Sequence, residues 1–328
     1  MSAQDFTRIL IPRFTSFRDL APDEKSYSQI IAAMAIDEVR NNLIVEDVKA
    51  AIAEGRTPLV LSSLTTHVRT LAEMLKPLAD HVITLVGSDS TKDKREAMAK
   101  LESITANESL IIVASGKYIG EGFDYPRLDT LFLALPISWK GVVAQYAGRL
   151  HREHTGKTEV RIYDYVDIRV PLCDSMYRKR IKGYASVGYR VIDKVHCNEQ
   201  DNAEAIYSGS SFNASFERDI TNATRSIVIS VPSTKARRAQ RLVRILQDLQ
   251  HIGIEVVIHI SEPGFNDNAL AGLTIFKHES RTTTCAIIDK TIAWYGDINF
   301  LGYNTDDNHA LRITSTDIAH SLLDLLYQ

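Results

Sequence analysis

Apolar positions in the first half of the chain come as short continuous runs separated by amphipathic stretches. Leu59-Val60-Leu61, the run from His81 to Val86, Ser109 to Ala114, Thr130 to Leu135 and Val160 to Val166 each predict a strand buried on both faces. Helical spacing covers 67–78, a charged run ending near Leu101, and the stretch around Gln145. Upstream, Ile9-Leu10-Ile11 is a short β-like run closed by Pro12. Helical patterns occupy about 28–39 and 45–54, with Gly55 and Pro58 as punctuation. Strands without a polar face, alternating with helices, imply an α/β domain whose parallel sheet is covered on both sides. Ligands of such sheets bind in loops that follow the carboxyl ends of strands.

The alternation stops at 169–201, where a basic, tyrosine-containing segment from Tyr177 to Tyr189 predicts a helix and loop linking residues 1–168 to a second domain at 202–328. There an α/β pattern restarts, with helix 215–224, strand 226–231, helix 236–252 and strand 254–260. A β-rich run follows, with strands near 273–277, 283–288 and 291–295, and a closing helix at 318–326.

A chain of 328 residues is long enough for two separate cores, and 45% hydrophobic with 24% charged residues is ordinary globular composition. The absence of an apolar run of about 18 residues argues against a membrane span. The chain start lacks a basic-then-apolar leader, so a cytoplasmic protein is expected. Cys173, Cys197 and Cys285 are far apart with no C-x-x-C pair, which argues against a zinc site or a disulfide framework. His151 and His154 lack an acidic third ligand and read as surface residues. Net charge is −3, but charge is local: Arg178, Lys179, Arg180 and Lys182 form one basic cluster, and Lys235, Arg237, Arg238, Arg241 and Arg244 another. Either cluster could track phosphates or be a solvated face.

The densest chemistry lies in Gln145-Tyr146-Ala147-Gly148-Arg149-Leu150-His151-Arg152. The spacing places Arg149 and Arg152 on one helix face, and Gly148 lets another surface approach closely. Two adjacent guanidiniums suit the dispersed charge of a phosphoryl-transfer transition state. The plainer reading is a solvated basic helix end.

Upstream lie Val113-Ala114-Ser115-Gly116-Lys117-Tyr118-Ile119-Gly120-Glu121-Gly122-Phe123-Asp124-Tyr125-Pro126 and, earlier, Thr57-Pro58-Leu59-Val60-Leu61-Ser62-Ser63-Leu64. In order and spacing these three stretches resemble motifs IV, V and VI in the C-terminal RecA-like domain of superfamily 2 DNA helicases, over residues 1 to about 168. The resemblance implies an ATP-dependent helicase or translocase in which Arg149 and Arg152 are arginine fingers and Gln145 helps close the interdomain cleft. It places Asp124 near the ribose and Gly122 where the loop meets the nucleotide. It also implies that Ser115, with Ser62 and its neighbours Ser63 and Thr65, touches the nucleic-acid backbone. From the residues alone, Asp124 reads equally as an Asx-turn residue before Pro126, and Ser115 as a helix N-cap.

The family's phosphate-cradling G-x-x-x-x-G-K-[S/T] loop and D-E-x-H or D-E-x-D box are not found in these residues; Gly116-Lys117 lacks the preceding glycine and runs into Tyr118. The expectation is the C-terminal half of a motor. ATP and Mg²⁺ bind only together with an N-terminal RecA-like domain, single-stranded or duplex DNA is the other partner, and residues 1–328 alone turn over no ATP.

Residues 202–328 resemble the phospholipase D-like fold, whose motif is H-x-K-x4-D followed by G-[S/D]-x-N. Asp289 and Gly296-Asp297-Ile298-Asn299 match in type and spacing. Thr282 and Thr284, however, occupy the histidine and lysine positions, which removes the nucleophile and a phosphate clamp. The resemblance thus implies a degenerate domain in which Asn299, Asp297 and the basic segment with Lys235 and Arg238 still suit nucleic acid. A hairpin turn at Asp289-Lys290 would by itself explain much of the match, and Trp294-Tyr295 reads as hairpin core. Two other functions stay open: a non-catalytic nucleic-acid-binding scaffold, and a weak phospholipase D-like nuclease.

Overall fold

The apolar runs become the strands of two mixed α/β units, Met1–Tyr189 and Arg190–Gln328. The structure is a computed structural model that describes residues 6–19, 26–120, 123–137, 142–191, 206–234, 236–261, 270–279 and 282–327. Gly122 and Lys235 lie outside the described residues, as does the side chain of Arg238.

In the first unit the strands are β1 (Thr7–Phe14), β2 (Pro58–Ser62), β3 (His81–Leu85), β4 (Leu110–Ser115), β5 (Thr130–Leu133) and β6 (Glu159–Val166). The helices are α1 (Tyr27–Ile36), α2 (Glu38–Ala53), α3 (Thr65–Leu75), α4 (Thr91–Ser103), α5 (Gly116–Gly120), α6 (Val142–Leu150) and α7 (Pro171–Ser186). The sheet has seven strands in the order β3-β4-β2-β5-β6-β1-β7, the last being the two residues of β7 (Arg190–Val191) just past the division at Tyr189. Pairings among the six longer strands are parallel. Every residue of β2, β4 and β5 is buried, as strands covered on both faces require.

Two expected boundaries shift, and both shifts trace to buried polar residues. The break expected at 39–45 is instead at Asp37, which ends α1 and caps α2 by accepting from the Arg40 amide. Arg40 and Asn41 face inward on α2, so its buried stripe is not apolar and the helical period is disguised. Arg40 Nε donates to Asp167 at 2.9 Å and its Nη1 to the Ala134 carbonyl, while Thr15 donates to the same carboxylate at 2.6 Å.

The segment expected as a connection from 169 onward contains α7, a helix of the first unit. Arg180 at its centre is buried and forms a two-pronged pair with Asp164 on β6, at 2.7 and 2.9 Å. The basic cluster at 178–182 is therefore divided between core and surface: Arg178 pairs with Asp174 at 2.5 Å, and only Lys179 and Lys182 are exposed.

The second unit has β8 (Ile206–Ser208), α8 (Phe212–Thr221), β9 (Ser226–Val231), α9 (Ala236–His251), β10 (Glu255–Ile260), β11 (Thr274–Lys277), β12 (Cys285–Ile288), β13 (Ile292–Gly296), β14 (His309–Thr314) and α10 (Thr316–Leu326). Its sheet order is β11-β10-β9-β12-β13-β14-β8. β9, β10 and β11 are mutually parallel, and β12, β13, β14 and β8 join antiparallel. Short β8 and β14 were not anticipated from the apolar pattern. Trp294 is fully buried against Phe216 and Phe300, with its indole N–H on Asp219 at 2.9 Å, so its role is core packing.

Candidate functional site

The carboxyl ends of β4, β2 and β5 form a crevice. The connection leaving β2 runs to β3 on one side of the sheet, and that leaving β5 runs to β6 on the other, so the strands diverge here as at a topological switch point. The resulting cleft has a volume of about 450 Å³ and is lined by Ser62, Ser63, Thr65, Gly87, Ser88, Ser115 and Gly116, with Tyr146 contributed by α6. Ser62 and Ser115, expected together on a nucleic-acid backbone, are direct register partners across β2 and β4.

Their hydroxyls are not equivalent to free surface groups. Ser115 accepts the Gly87 amide at 3.1 Å. Ser62 lies 3.0 Å from Nδ1 of buried His67, whose Nε2 lies 2.8 Å from Asn41 Oδ1. Asn41 donates through its amide to the Ala35 carbonyl, so its oxygen must accept, and His67 Nε2 carries the proton. Burial, with the Arg40 charge, lowers the His67 pKa to about 3, so the ring is neutral and its Nδ1 accepts. The Ser62 hydroxyl proton is therefore committed to His67, while its oxygen takes the Leu64 amide at 3.2 Å. Ser62 organises the loop; the exposed hydroxyls beside it are those of Ser63 and Ser88.

The second cluster joins the loop after α5 to the end of α6. Asp124 Oδ1 and Arg152 Nε approach to 3.3 Å, both half-exposed. Asp124 thus faces an arginine. Arg152 is not on the helix as expected: α6 ends at Leu150, and Arg152 sits in the turn beyond it. The cause is Lys157, whose ammonium donates to the carbonyls of Leu150 at 3.1 Å, Arg152 at 2.8 Å and Pro126 at 2.5 Å. It caps the helix and ties it to the Asp124 loop. Burial lowers the Lys157 pKa to about 8. Arg149 is half-buried, and its Nε is a buried donor with no hydrogen-bond partner among the described residues. Gln145 is exposed, and the space beside Gly148 is open, since an added Cβ there would meet nothing within 4 Å.

In the second unit, Thr282 Oγ1 lies 3.0 Å from Ser230 Oγ, and Thr284 is buried. The imidazole nearest in sequence, His278, is engaged through Nε2 with Nδ1 of buried His259 at 2.7 Å. Burial and the facing His278 lower the His259 pKa to about 4. This pair has no counterpart in the motif pattern; strand alternation brings it together across adjacent β10 and the end of β11. Among the described residues no cluster of three histidine, cysteine or carboxylate side chains could hold a metal ion.

Asn299 is engaged within the fold, donating to the Ser233 carbonyl in the segment after β9 and accepting from the Leu301 amide of its own loop. Asp289 and Lys290 adopt φ of 52° and 56°, the left-handed pair of a tight hairpin between β12 and β13. The Asp289 carboxylate accepts from the amides of Thr224, Arg225 and Ser226 and from the Thr224 hydroxyl. Burial opposes its ionisation, but these donors outweigh burial and lower its pKa. The folded pKa lies below the unfolded one, so the stabilisation is present above the unfolded pKa and is lost as pH falls through the folded value. Asp289→Asn is expected to destabilise the second unit by about 2 kcal/mol in urea denaturation at neutral pH, and to flatten its acid limb.

No protein-family model matches this chain. The chain is 26% identical over 171 residues to transcript termination protein A18 of fowlpox virus, a match covering 50% of this chain and 36% of that protein. It is 30% identical over 172 residues to putative helicase 161L of invertebrate iridescent virus 6, covering 49% of this chain and 37% of the viral protein. Among solved structures it is similar to T4 UvsW, with a TM-score of 0.44 and 19% identity over 58% of this chain and 41% of that one. About half of the chain is thus related to helicase-like proteins, while the match spans little more than a third of the length of either viral relative.

Proposed function

We propose that the first unit is the C-terminal RecA-like half of a superfamily 2 helicase or translocase, presenting Arg149 and Arg152 to ATP and Mg²⁺ held by a second RecA-like domain. The observation that carries this reading is the approach of Arg152 to Asp124, with Arg149 three residues earlier holding a buried Nε that has no hydrogen-bond partner among the described residues. A half-exposed carboxylate–arginine pair holds the guanidinium in place without burying it, leaving its remaining N–H groups for phosphate oxygens. Resemblance to motifs IV to VI and kinship with a putative helicase support the same reading. Nucleic acid is the substrate on which the motor moves, and its backbone lies along the cleft after β2 and β4.

We read the second unit as a degenerate phospholipase D-like domain that binds without cleaving. Thr282 hydrogen-bonds to a serine where the resemblance would place a histidine, and a threonine hydroxyl is a poor replacement for that nucleophile.

The test is a turnover assay. Residues 1–328 alone are expected to hydrolyse no ATP, with or without DNA. Addition of a RecA-like domain bearing the phosphate loop, fused or encoded with this chain, is expected to restore nucleic-acid-stimulated hydrolysis. Turnover by 1–328 alone would refute the half-site assignment.

A further inference from the structure

We propose that Lys157 is a positioning residue for phosphoryl transfer: its ammonium fastens the turn that carries Arg152 to the loop that carries Asp124, so that the two move as one body. This rests on the motor reading above. It adds a residue that lies outside all three resembling stretches. It also adds a route by which the loop expected at the ribose governs the guanidinium expected at the phosphates.

The local chain explains how Lys157 reaches this place. His154 to Lys157 form a turn closed by the Lys157 amide on the His154 carbonyl at 3.1 Å, with Gly156 at a φ of 82°. That left-handed conformation suits glycine and reverses the chain just before β6 begins at Glu159. The Lys157 side chain thereby returns to the end of α6. It is 6% exposed, and the Phe6 ring stands 5.6 Å from the ammonium.

An ammonium has three N–H donors, and three carbonyls receive them: Pro126, Leu150 and Arg152. Leu150 ends α6, Arg152 lies in the turn beyond it, and Pro126 follows Asp124 by two residues. One cation therefore crosslinks the main chains of both segments. A second link is the approach of Asp124 to Arg152 at 3.3 Å. The two links are unequal. A half-exposed ion pair is screened by water and holds little by itself, whereas charge-assisted bonds to carbonyls out of water are strong. The main-chain link sets the separation, and the ion pair follows from it. Asp129 and Asp124 both favour the protonated ammonium, so Lys157 stays cationic at neutral pH although burial lowers its pKa.

Without the ammonium, the Leu150 and Arg152 carbonyls lose this donor and the turn can pivot about the end of α6. Arg152 is then displaced while other contacts to nucleotide persist. The loss accordingly falls on the transition state rather than on ATP binding.

The experiment is a double-mutant cycle in a protein that unites this chain with a phosphate-loop RecA-like domain, assayed below the melting temperature of every variant. Lys157→Met keeps the aliphatic stem and removes the donors. It is expected to lower kcat for nucleic-acid-stimulated ATP hydrolysis by about 10²-fold, the scale for misplacing a catalytic group by about 1 Å. KM for ATP should change only a few-fold. Combined with Arg152→Ala it should lower kcat no further, because Lys157 acts through Arg152. In the 328-residue chain alone, amide hydrogen exchange at 123–127 and 150–154 should quicken by about 10-fold or more in Lys157→Met, as charge-assisted bonds are lost. Should Lys157→Met fail to fold, Gly156→Val carries the same test. A β-branched residue at that φ reopens the turn and moves the ammonium, so kcat should fall with KM retained. Wild-type kcat or unchanged exchange in Lys157→Met, or a loss that multiplies with that of Arg152→Ala, would overturn the positioning role while leaving the motor reading intact. Wild-type turnover in Arg152→Ala would instead overturn the arginine-finger reading on which the proposal rests.

Discussion

Replacing Arg149 or Arg152 with alanine, in a protein that unites this chain with a phosphate-loop RecA-like domain, is expected to lower nucleic-acid-stimulated ATP hydrolysis by about 10³-fold or more. Arginine fingers contribute on that scale because a guanidinium placed against the transferring phosphoryl group neutralises charge that appears only in the transition state. Ground-state ATP affinity should change only a few-fold by equilibrium dialysis, since the loss falls on kcat. Arg152→Lys should recover little: Asp124 orients a planar fork at Arg152 Nε, and an ammonium cannot both meet that carboxylate and reach forward with fixed geometry. Normal turnover in both alanine variants would remove the arginine-finger assignment altogether.

Arg180→Met is expected to cost the first unit about 3–5 kcal/mol, the range for stripping one partner from a buried ion pair. Arg180 and Asp164 are each only 1% exposed, so the variant leaves a carboxylate held by the Tyr184 hydroxyl at 2.7 Å but with no counter-charge. Urea denaturation followed on the first unit measures this as a lowered midpoint. The double replacement Arg180→Met with Asp164→Leu should regain much of the loss, because the penalty lies in the orphaned charge rather than in the missing attraction. A single variant as stable as wild type would mean that α7 is not an integral part of the first unit's core.

The strands of the first sheet were legible because burial on both faces leaves an unbroken apolar run, which is visible in any one-dimensional window. The α1–α2 boundary was not, because Arg40 and Asn41 are buried by virtue of partners at Asp167, Ala134, Ala35 and His67 that are far away or unmarked in the chain. The same limit applies to α7. A run of arginines and lysines reads as one basic patch until the fold supplies Asp164 and Asp174 as counter-charges for two of them. In the candidate site, the arginine stretch and the Asp124 loop were recognisable as residue types at set spacings. Their approach to 3.3 Å was not, because it is enforced by Lys157, a residue in neither stretch.

Hydrophobic periodicity was enough to establish two α/β units and a parallel sheet in the first, since each is a property of neighbours along the chain. Which hydroxyls are free to donate, where α6 stops, and that Tyr146 faces the serine-lined cleft were decided only in three dimensions. Hydrogen-bond partners, desolvation and steric contact depend on distances between residues remote in sequence, and those distances exist only once the chain has folded.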